Sequence, residues 1–389
     1  MDVACSRACR PTSCSGASTA CCFRFDGFIL LAEMKTPIRP LRGFLLLIVL
    51  WAGLAALAWS QPPATLVVQG AGATFPEDIY SIWAERYQAV TGTQIQYQAT
   101  GSGDGERQIK ARLVAFGGTD TPLTPQELAE HRLIQVPTVA GAVVPVFNLR
   151  ALAGRRLQLS GEVLGEMFSG RIERWNDPRI VALNPGVALP NLPVRRIVRS
   201  DTSGTTHAFT RYLALVSRTF ETEVGASRLP RWPGEVLSAA GNSGVVKLLQ
   251  NTEGGLTYVG YDRVRSQRLS SISLQDTAGR PVQASEASIL TALRASDVHR
   301  TGDDSANTLN MSAPGSWPIV MVTFLLFDAE PARASDVEPA MRFLVWSFLQ
   351  GDRLVSGTGF APLPVLLQAR LFARLMQVRP RDGRAVHLL

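Results

Sequence analysis

The sequence predicts an α/β protein built largely from parallel strands. Apolar runs typical of strands alternate with amphipathic helical runs from residue 65 to residue 377, which favours this class. In addition, three of the predicted strands end in short loops of small polar residues that lead directly into a helix, at residues 70–76, 100–105 and 199–205. Open α/β sheets gather such junctions beyond the carboxyl ends of their strands, where ligands bind.

The first junction lies between a predicted strand at residues 65–69 and a predicted helix at residues 79–90. Thr74 stands at the expected N-cap of that helix and Pro76 in its expected first turn. The glycines of this loop resemble a dinucleotide fingerprint only weakly, because Phe75 occupies the third glycine position.

The second junction follows a predicted strand at residues 93–98 and contains Ser102. A helix is predicted after it, at residues 106–113, and a short strand at residues 114–120 ends in Asp120. No lysine follows the glycines of this loop, so the pattern differs from that of a P-loop.

Two long apolar runs, at residues 133–147 and 317–327, are predicted to be strands that cross between two domains. Proline and glycine interrupt the first run, so it is unsuited to a membrane helix. The other predicted elements are helices at residues 125–130, 160–168, 245–250, 337–350 and 365–377, a strand at 255–259 and an irregular segment at 296–317.

The third junction carries the strongest chemical pattern. A β-like run ends at Arg199, and a helix begins near Ser203, whose side chain suits an N-cap, as does that of Thr205. Gly204 lets the backbone approach a ligand closely. Because the first N–H groups of a helix lack partners and a guanidinium binds oxyanions through two hydrogen bonds, we hypothesise an anion cradle. The alternative from this stretch alone is an ordinary capped helix.

Residues 34–60 are predicted to be a secretory signal peptide. A basic segment precedes an apolar run at residues 43–58, and small residues at positions 58 and 60 favour cleavage near Ser60. The alternative is an uncleaved anchor, for which the run is slightly short. Residues 1–33 are interpreted as an upstream mis-start.

Several function classes are disfavoured. The net charge of +7 is scattered, and no basic run contains interleaved aromatic residues, so we expect no nucleic-acid partner. The cysteines all lie within the first 22 residues and the histidines are dispersed, so we expect no metal and no cofactor. Asp201, Ser203 and His207 suggest a hydrolase triad, but they fall within seven residues and lack the usual nucleophile elbow. Five tryptophans are expected to pack in cores rather than to stack on sugars: Trp83, Trp175, Trp232, Trp317 and Trp346.

Four ordered segments of the chain form a specific set: residues 70–76 (GAGATFP), 97–102 (YQATGS), 116–123 (FGGTDTPL) and 199–205 (RSDTSGT). In these segments the chain resembles the periplasmic phosphate-binding proteins of ABC phosphate importers. Residues 317–319 and 359–364 also fit, and the resemblance spans roughly residues 65 to 380.

The resemblance implies a two-lobed, Venus-flytrap fold of type II with two crossing hinge strands. Lobe I would comprise residues 61–144 and 318–389, and lobe II residues 145–317. It implies a monomeric, periplasmic protein that is not an enzyme and that delivers inorganic phosphate to a membrane permease. A phosphate-sensing or interaction protein on the same fold is the alternative, and arsenate is a possible second ligand.

The resemblance also implies which residues bind phosphate. The donors would be Thr74, the backbone of Phe75, Ser102, Arg199, Ser203, the backbone of Gly204, and Thr205; Asp120 would be the acceptor and Asp201 a residue of the rim. A carboxylate tolerates an anion only if that anion carries a proton, so Asp120 would select phosphate over sulfate. The alternative for Asp120 is a turn residue. Asp104 departs from the family pattern and adds a negative charge near the mouth.

Overall fold

The computed structural model describes residues 65–152, 155–301 and 303–388. The predicted upstream segment and signal peptide lie outside these residues. The strands are β1 (Val67–Gly72), β2 (Gln94–Ala99), β3 (Phe116–Thr119), β4 (Leu133–Asn148), β5 (Leu157–Leu159), β6 (Arg195–Arg199), β7 (Leu237–Ala239), β8 (Gly255–Gly260), β9 (Ser270–Gln275), β10 (Pro281–Val282), β11 (Val320–Asp328) and β12 (Phe360–Pro362).

The α-helices alternate with these strands along the chain. They are α1 (Glu77–Thr91), α2 (Ser102–Lys110), α3 (Pro125–His131), α4 (Gly161–Phe168), α5 (Pro178–Leu183), α6 (Gly204–Val216), α7 (Arg218–Glu223), α8 (Gly241–Gln250), α9 (Tyr261–Ser266), α10 (Glu286–Ala295), α11 (Asp297–Thr301), α12 (Glu338–Trp346), α13 (Asp352–Val355) and α14 (Val365–Leu375). Short 3₁₀ turns occur at Arg150–Leu152 and Ala334–Asp336, and a π-helical turn at Ser347–Gly351.

The described strands form one sheet, in which eight strands follow the order β2-β1-β3-β11-β4-β8-β6-β7 and β5, β9, β10 and β12 pair outside this path. β1 pairs in parallel with β2 and β3, and β6 pairs in parallel with β7 and β8. We call the part from β2 to β11 the first half of the sheet and the part from β8 to β7 the second half.

The long strand β4 joins the two halves. Its beginning pairs with β11, and its end pairs with β8 from Val143–Gly260 to Asn148–Gly255. Both of these pairings are antiparallel, so the sheet is mixed and the prediction of largely parallel strands holds only for its flanks. The physical reason is that β4 crosses to the second half and β11 returns, so the two neighbours run in opposite directions.

Several predicted elements have different limits in the structure. The second junction helix begins at Ser102 itself rather than at residue 106, and residues 297–301 of the predicted irregular segment form α11. The last turn of the helix predicted at 337–350 is π-helical. Helices α5, α7, α9, α10 and α13 were not predicted, because short or weakly periodic helices resemble loops in sequence.

Tryptophans fill the core on both sides of β4. Trp83, Trp175 and Trp317 are at most 1% exposed, and each indole N–H donates to a backbone carbonyl. This arrangement supports a packing role and leaves those rings unavailable to a sugar. Within the described part of the chain, none of the helices combines the length and apolar composition needed to cross a membrane.

Candidate anion-binding site

The three predicted junctions meet between the two halves of the sheet. The backbone N–H of Gly103, in the second junction, donates to the carbonyl of Thr202, in the third, over 3.2 Å. Gly101 lies against Asp201, since a Cβ there would come within 2.6 Å of the carboxylate. Gly101 also has a φ of +103°, a conformation that favours glycine. The sequence thus brings distant loops together at one place, as predicted.

The N-terminus of α6 presents free donors. Ser203 is the N-cap, and its Oγ accepts a hydrogen bond from the N–H of Thr206 at 3.1 Å. Gly204 and Thr205 occupy the first two helical positions, where N–H groups have no carbonyl partner within the helix. Thr205 is fully buried, and its hydroxyl has no hydrogen-bond partner among the described residues.

Arg199 ends β6 with its side chain 1% exposed. Its Nε donates to Oδ1 of Asp201 at 2.7 Å and its Nη2 donates to Oδ2, whereas Nη1 has no partner in the described part of the chain. Asp201 therefore occupies one edge of the guanidinium and leaves the Nη1 side for a ligand. Burial alone would raise the pKa of Asp201, but the hydrogen bonds and charge of Arg199 hold it below its ordinary value.

Asp120 follows β3 and is buried beside the α6 terminus. Its backbone N–H donates to Oγ of Ser102 at 3.2 Å, and Ser102 Oγ lies 3.4 Å from Asp120 Oδ2. A Cβ on Gly204 would lie 2.5 Å from the Cβ of Asp120, so only glycine permits this close approach. Burial raises the pKa of Asp120 to about 7, although hydrogen bonds and nearby arginines oppose the shift.

The first junction contributes Thr74 and Phe75. The predicted N-cap role of Thr74 is wrong: Pro76 occupies that position, and Thr74 Oγ1 instead accepts the N–H of Asn242 at 3.3 Å. The geometric reason is that the junction turns toward α8, where this N–H at the helix start needs an acceptor. The ring of Phe75 packs edge-on against Phe360 at 5.3 Å and is fully buried, so only its backbone is available to a ligand.

Comparison with known proteins shows the family of the chain. A family model described as a PBP superfamily domain matches residues 60–349. The phosphate-binding protein PstS of Haemophilus influenzae is 37% identical over 298 residues, which cover 76% of this chain and 89% of that protein. The chain belongs to the PstS phosphate-binding protein family.

Solved structures confirm the predicted two-lobed binding-protein fold. The periplasmic phosphate-binding protein PfluDING, solved with phosphate, superposes with a TM-score of 0.62 at 23% identity, covering 79% of this chain and 93% of that one. A putative phosphate ABC transporter substrate-binding protein from Clostridium perfringens gives 0.56 at 15% identity, covering 77% and 100%. The lobe boundaries given above stay a prediction.

Four further residues lie at this candidate site and were not identified from the sequence. Asn242 is 1% exposed, and both polar atoms of its amide lack partners within the described residues. Thr323 donates to Asp120, and Arg228 pairs with Glu106 beside the α6 terminus. Asn242 follows a short strand and opens a helix, the same pattern as the three recognised junctions, so that pattern could have revealed it.

The contacts of Asp201, Ser203 and His207 decide the hydrolase hypothesis. The hydrolase triad does not form: Asp201 pairs with Arg199, Ser203 Oγ accepts the N–H of Thr206, and His207 Nδ1 lies 3.3 Å from Thr121 Oγ1. Burial lowers the pKa of His207 to about 4, so it is neutral at neutral pH.

Asp104, which departs from the family pattern, has hydrogen-bond partners on its own helix. Its carboxylate accepts hydrogen bonds from the guanidinium of Arg107 at 2.5 Å and from the amide of Gln108 at 2.6 Å, both on α2. Part of its negative charge is therefore balanced within its own helix.

Proposed function

We propose that this protein is an extracytoplasmic binding protein that captures inorganic phosphate between its two lobes and delivers it to the permease of an ABC importer. One observation carries the proposal. Buried donors without partners in the described residues, Arg199 Nη1 and the Thr205 hydroxyl, lie in the same cluster as the buried carboxylate of Asp120, whereas the carboxylates of Asp201 and Glu106 are paired with Arg199 and Arg228. A set of several donors and one acceptor suits an oxyanion that carries a proton.

The hydroxyl groups of the cradle can donate hydrogen bonds to a ligand. The oxygen of Ser203 already accepts the N–H of Thr206, and the oxygen of Thr74 accepts that of Asn242. Each hydroxyl proton is therefore free for a ligand oxygen. Ser102 is similar, because its oxygen accepts the N–H of Asp120 and the 3.4 Å contact to the carboxylate is long for an O–H bond.

The remaining donors would come from the backbone of Phe75, Gly204 and Thr205, and the Arg199 guanidinium would supply the charge. Asp120 would accept the phosphate proton, and Asp201 would orient Arg199 at the rim. We further propose that the protein acts as a monomer in the periplasm after cleavage near Ser60, because the proteins similar to it are named phosphate-binding and ABC-transport proteins.

Calorimetric titration of the mature protein tests the proposal. Carried-over ligand is first removed by unfolding and refolding, and phosphate, sulfate and arsenate are then titrated separately. We expect phosphate to bind at one site per chain, arsenate to bind as well and sulfate to bind much more weakly. Absence of phosphate binding to the refolded protein would refute the proposal.

A further inference from the structure

Glu106 and Arg228 form a two-point ion pair across the site. Arg228 Nη2 lies 2.7 Å from Glu106 Oε1, and Nη1 lies 3.0 Å from Oε2. Glu106 is on α2, which packs on the first half of the sheet. Arg228 is in the segment after α7 and is bonded to the start of α6, a helix that contacts β8 of the second half. The two side chains are 11% and 25% exposed, respectively, so water screens this pair only partly.

Each partner is also attached to a different side of the cradle. Thr119, the residue before Asp120, donates its hydroxyl to Glu106 Oε1 at 2.6 Å. The carbonyl of Arg228 accepts the N–H of Ser203, the N-cap of α6, at 3.1 Å. The ion pair therefore connects the acceptor side of the cradle directly to its donor side.

We propose that the Glu106–Arg228 pair is a latch that holds the two lobes closed over bound phosphate and sets how slowly phosphate leaves. This inference rests on the proposed function. Because the partners belong to opposite halves, their mutual attraction stabilises only the arrangement in which the halves meet. Breaking the pair should therefore accelerate dissociation more than it slows association, since encounter takes place before the lobes close.

The direction in which Glu106→Gln changes phosphate affinity distinguishes a latch from a purely through-space electrostatic effect. Glu106 places a negative charge near the proposed anion. If its charge acted only through space, removing it would tighten phosphate binding. If the latch dominates, Glu106→Gln weakens binding, although glutamine keeps the oxygen that accepts from Thr119.

The experiment measures phosphate association and dissociation rates by stopped flow for the parent, Glu106→Gln, Arg228→Gln, Arg228→Lys and the double glutamine variant. We expect each single variant to raise the dissociation rate by about tenfold, the scale of a partly buried ion pair, with association changed by less than about threefold. The double variant should dissociate no faster than either single variant, because the same interaction is lost. Arg228→Lys keeps the charge and loses the two-point geometry, so it tests whether the paired hydrogen bonds of the guanidinium are needed in addition to its charge.

Asp104→Asn is the matched control. It removes a negative charge from the same helix, but its partner Arg107 is on that helix too. We expect its dissociation rate to stay within about twofold of the parent value. Melting curves without phosphate establish that each variant is folded.

Unchanged or tighter binding by Glu106→Gln, or additive effects in the double variant, would overturn the latch. So would equal acceleration by Asp104→Asn. A parent protein that fails to bind phosphate would instead refute the proposed function, so the two failures are distinguishable.

Discussion

The hydroxyl of Thr323 donates a 2.8 Å hydrogen bond to Oδ1 of Asp120. Thr323 is on β11 and Asp120 follows β3, and these two strands are antiparallel neighbours. The bond occupies one carboxylate oxygen inside a buried site, while among the described residues Oδ2 has only the long 3.4 Å contact to Ser102. Oδ2 is therefore the oxygen available to accept a proton from a ligand.

Asp120→Asn should reduce discrimination against sulfate. The substitution keeps the size, removes the charge and can turn an N–H toward the anion. We expect the preference for phosphate over sulfate at pH 8 to fall by at least about tenfold, or about 1.4 kcal/mol. Competition by sulfate against phosphate at constant ionic strength measures the ratio. A variant that excludes sulfate as well as the parent does would make Asp120 a turn residue.

Sulfate binding to the parent protein should depend on pH. Burial raises the pKa of Asp120 to about 7, so the carboxylate becomes a protonated donor as the pH falls from 8 to 6. Sulfate stays fully ionised in this range, so its affinity should increase by up to about tenfold for each pH unit as the pH falls toward the pKa, and it should level off below the pKa. Asp120→Asn should remove this pH dependence of sulfate affinity. Calorimetry at several pH values measures it for both proteins. If sulfate affinity changed equally with pH in the parent and the variant, Asp120 would not be the titrating group.

Arg199→Lys should weaken phosphate binding by about 1–3 kcal/mol, the range for a charge-assisted hydrogen bond. Arg199 holds Asp201 through Nε and Nη2 and keeps Nη1 for the ligand. A lysine ammonium carries the charge but cannot serve both partners with this planar geometry. The control is Arg195→Lys, at the exposed start of the same strand, which should bind as the parent does. Equal affinity of the two variants would exclude Arg199 as a ligand.

Asp262→Asn should stabilise the phosphate-free protein at pH 8. Asp262 is 2% exposed, its oxygens accept no hydrogen bond from the described residues, and its contact to Arg263 Nε is 3.4 Å. Burial raises its pKa to about 7, while Arg263 opposes and Asp78 adds to the shift. The unfolded carboxyl loses its proton near pH 4, so stability falls as the pH rises from about 4 to 7.

Removing this carboxylate should increase the free energy of unfolding at pH 8 by about 2–4 kcal/mol and by much less at pH 5. Melting curves at both pH values measure the difference. Asp78→Asn serves as the control, because that side chain contacts the same Arg263 but is 34% exposed. A gain of the same size at pH 5 would mean that packing, not protonation, explains the effect.

Phosphate should make the protein more compact. Contacts between the two halves, such as Asn242 N–H to Thr74 and Gly103 N–H to Thr202, exist only when the lobes meet. A ligand held from both sides shifts the population toward that state. Solution scattering should give a smaller radius of gyration with phosphate than with verified ligand-free protein; identical curves at saturation would argue against a hinge.

The secreted protein should begin near Gln61. The apolar run and the small residues at positions 58 and 60 predict cleavage there. Mass spectrometry of protein purified from the periplasm measures the N-terminal residue. Soluble protein that keeps residues 34–60 would contradict the predicted signal peptide.

The sequence by itself determined the local parts of this protein. The alternation of apolar periods predicted the strands and helices, and capping residues and glycines located the junctions that contain Thr74, Ser102 and Ser203. Such patterns can be recognised in the sequence because they depend on residues that are close along the chain. The crossing strands were also predicted, since β4 and β11 are long and apolar.

Only the tertiary structure decided which distant residues touch. Thr323 reaches Asp120 across 203 positions, Asn242 reaches Thr74 across 168, and Arg228 reaches Glu106 across 122. These contacts follow from strand order and from how the two halves of the sheet meet, which no local period encodes. Arg228 lies in a loop without a capping or periodic pattern, so its role emerges only because the fold carries that loop to α2.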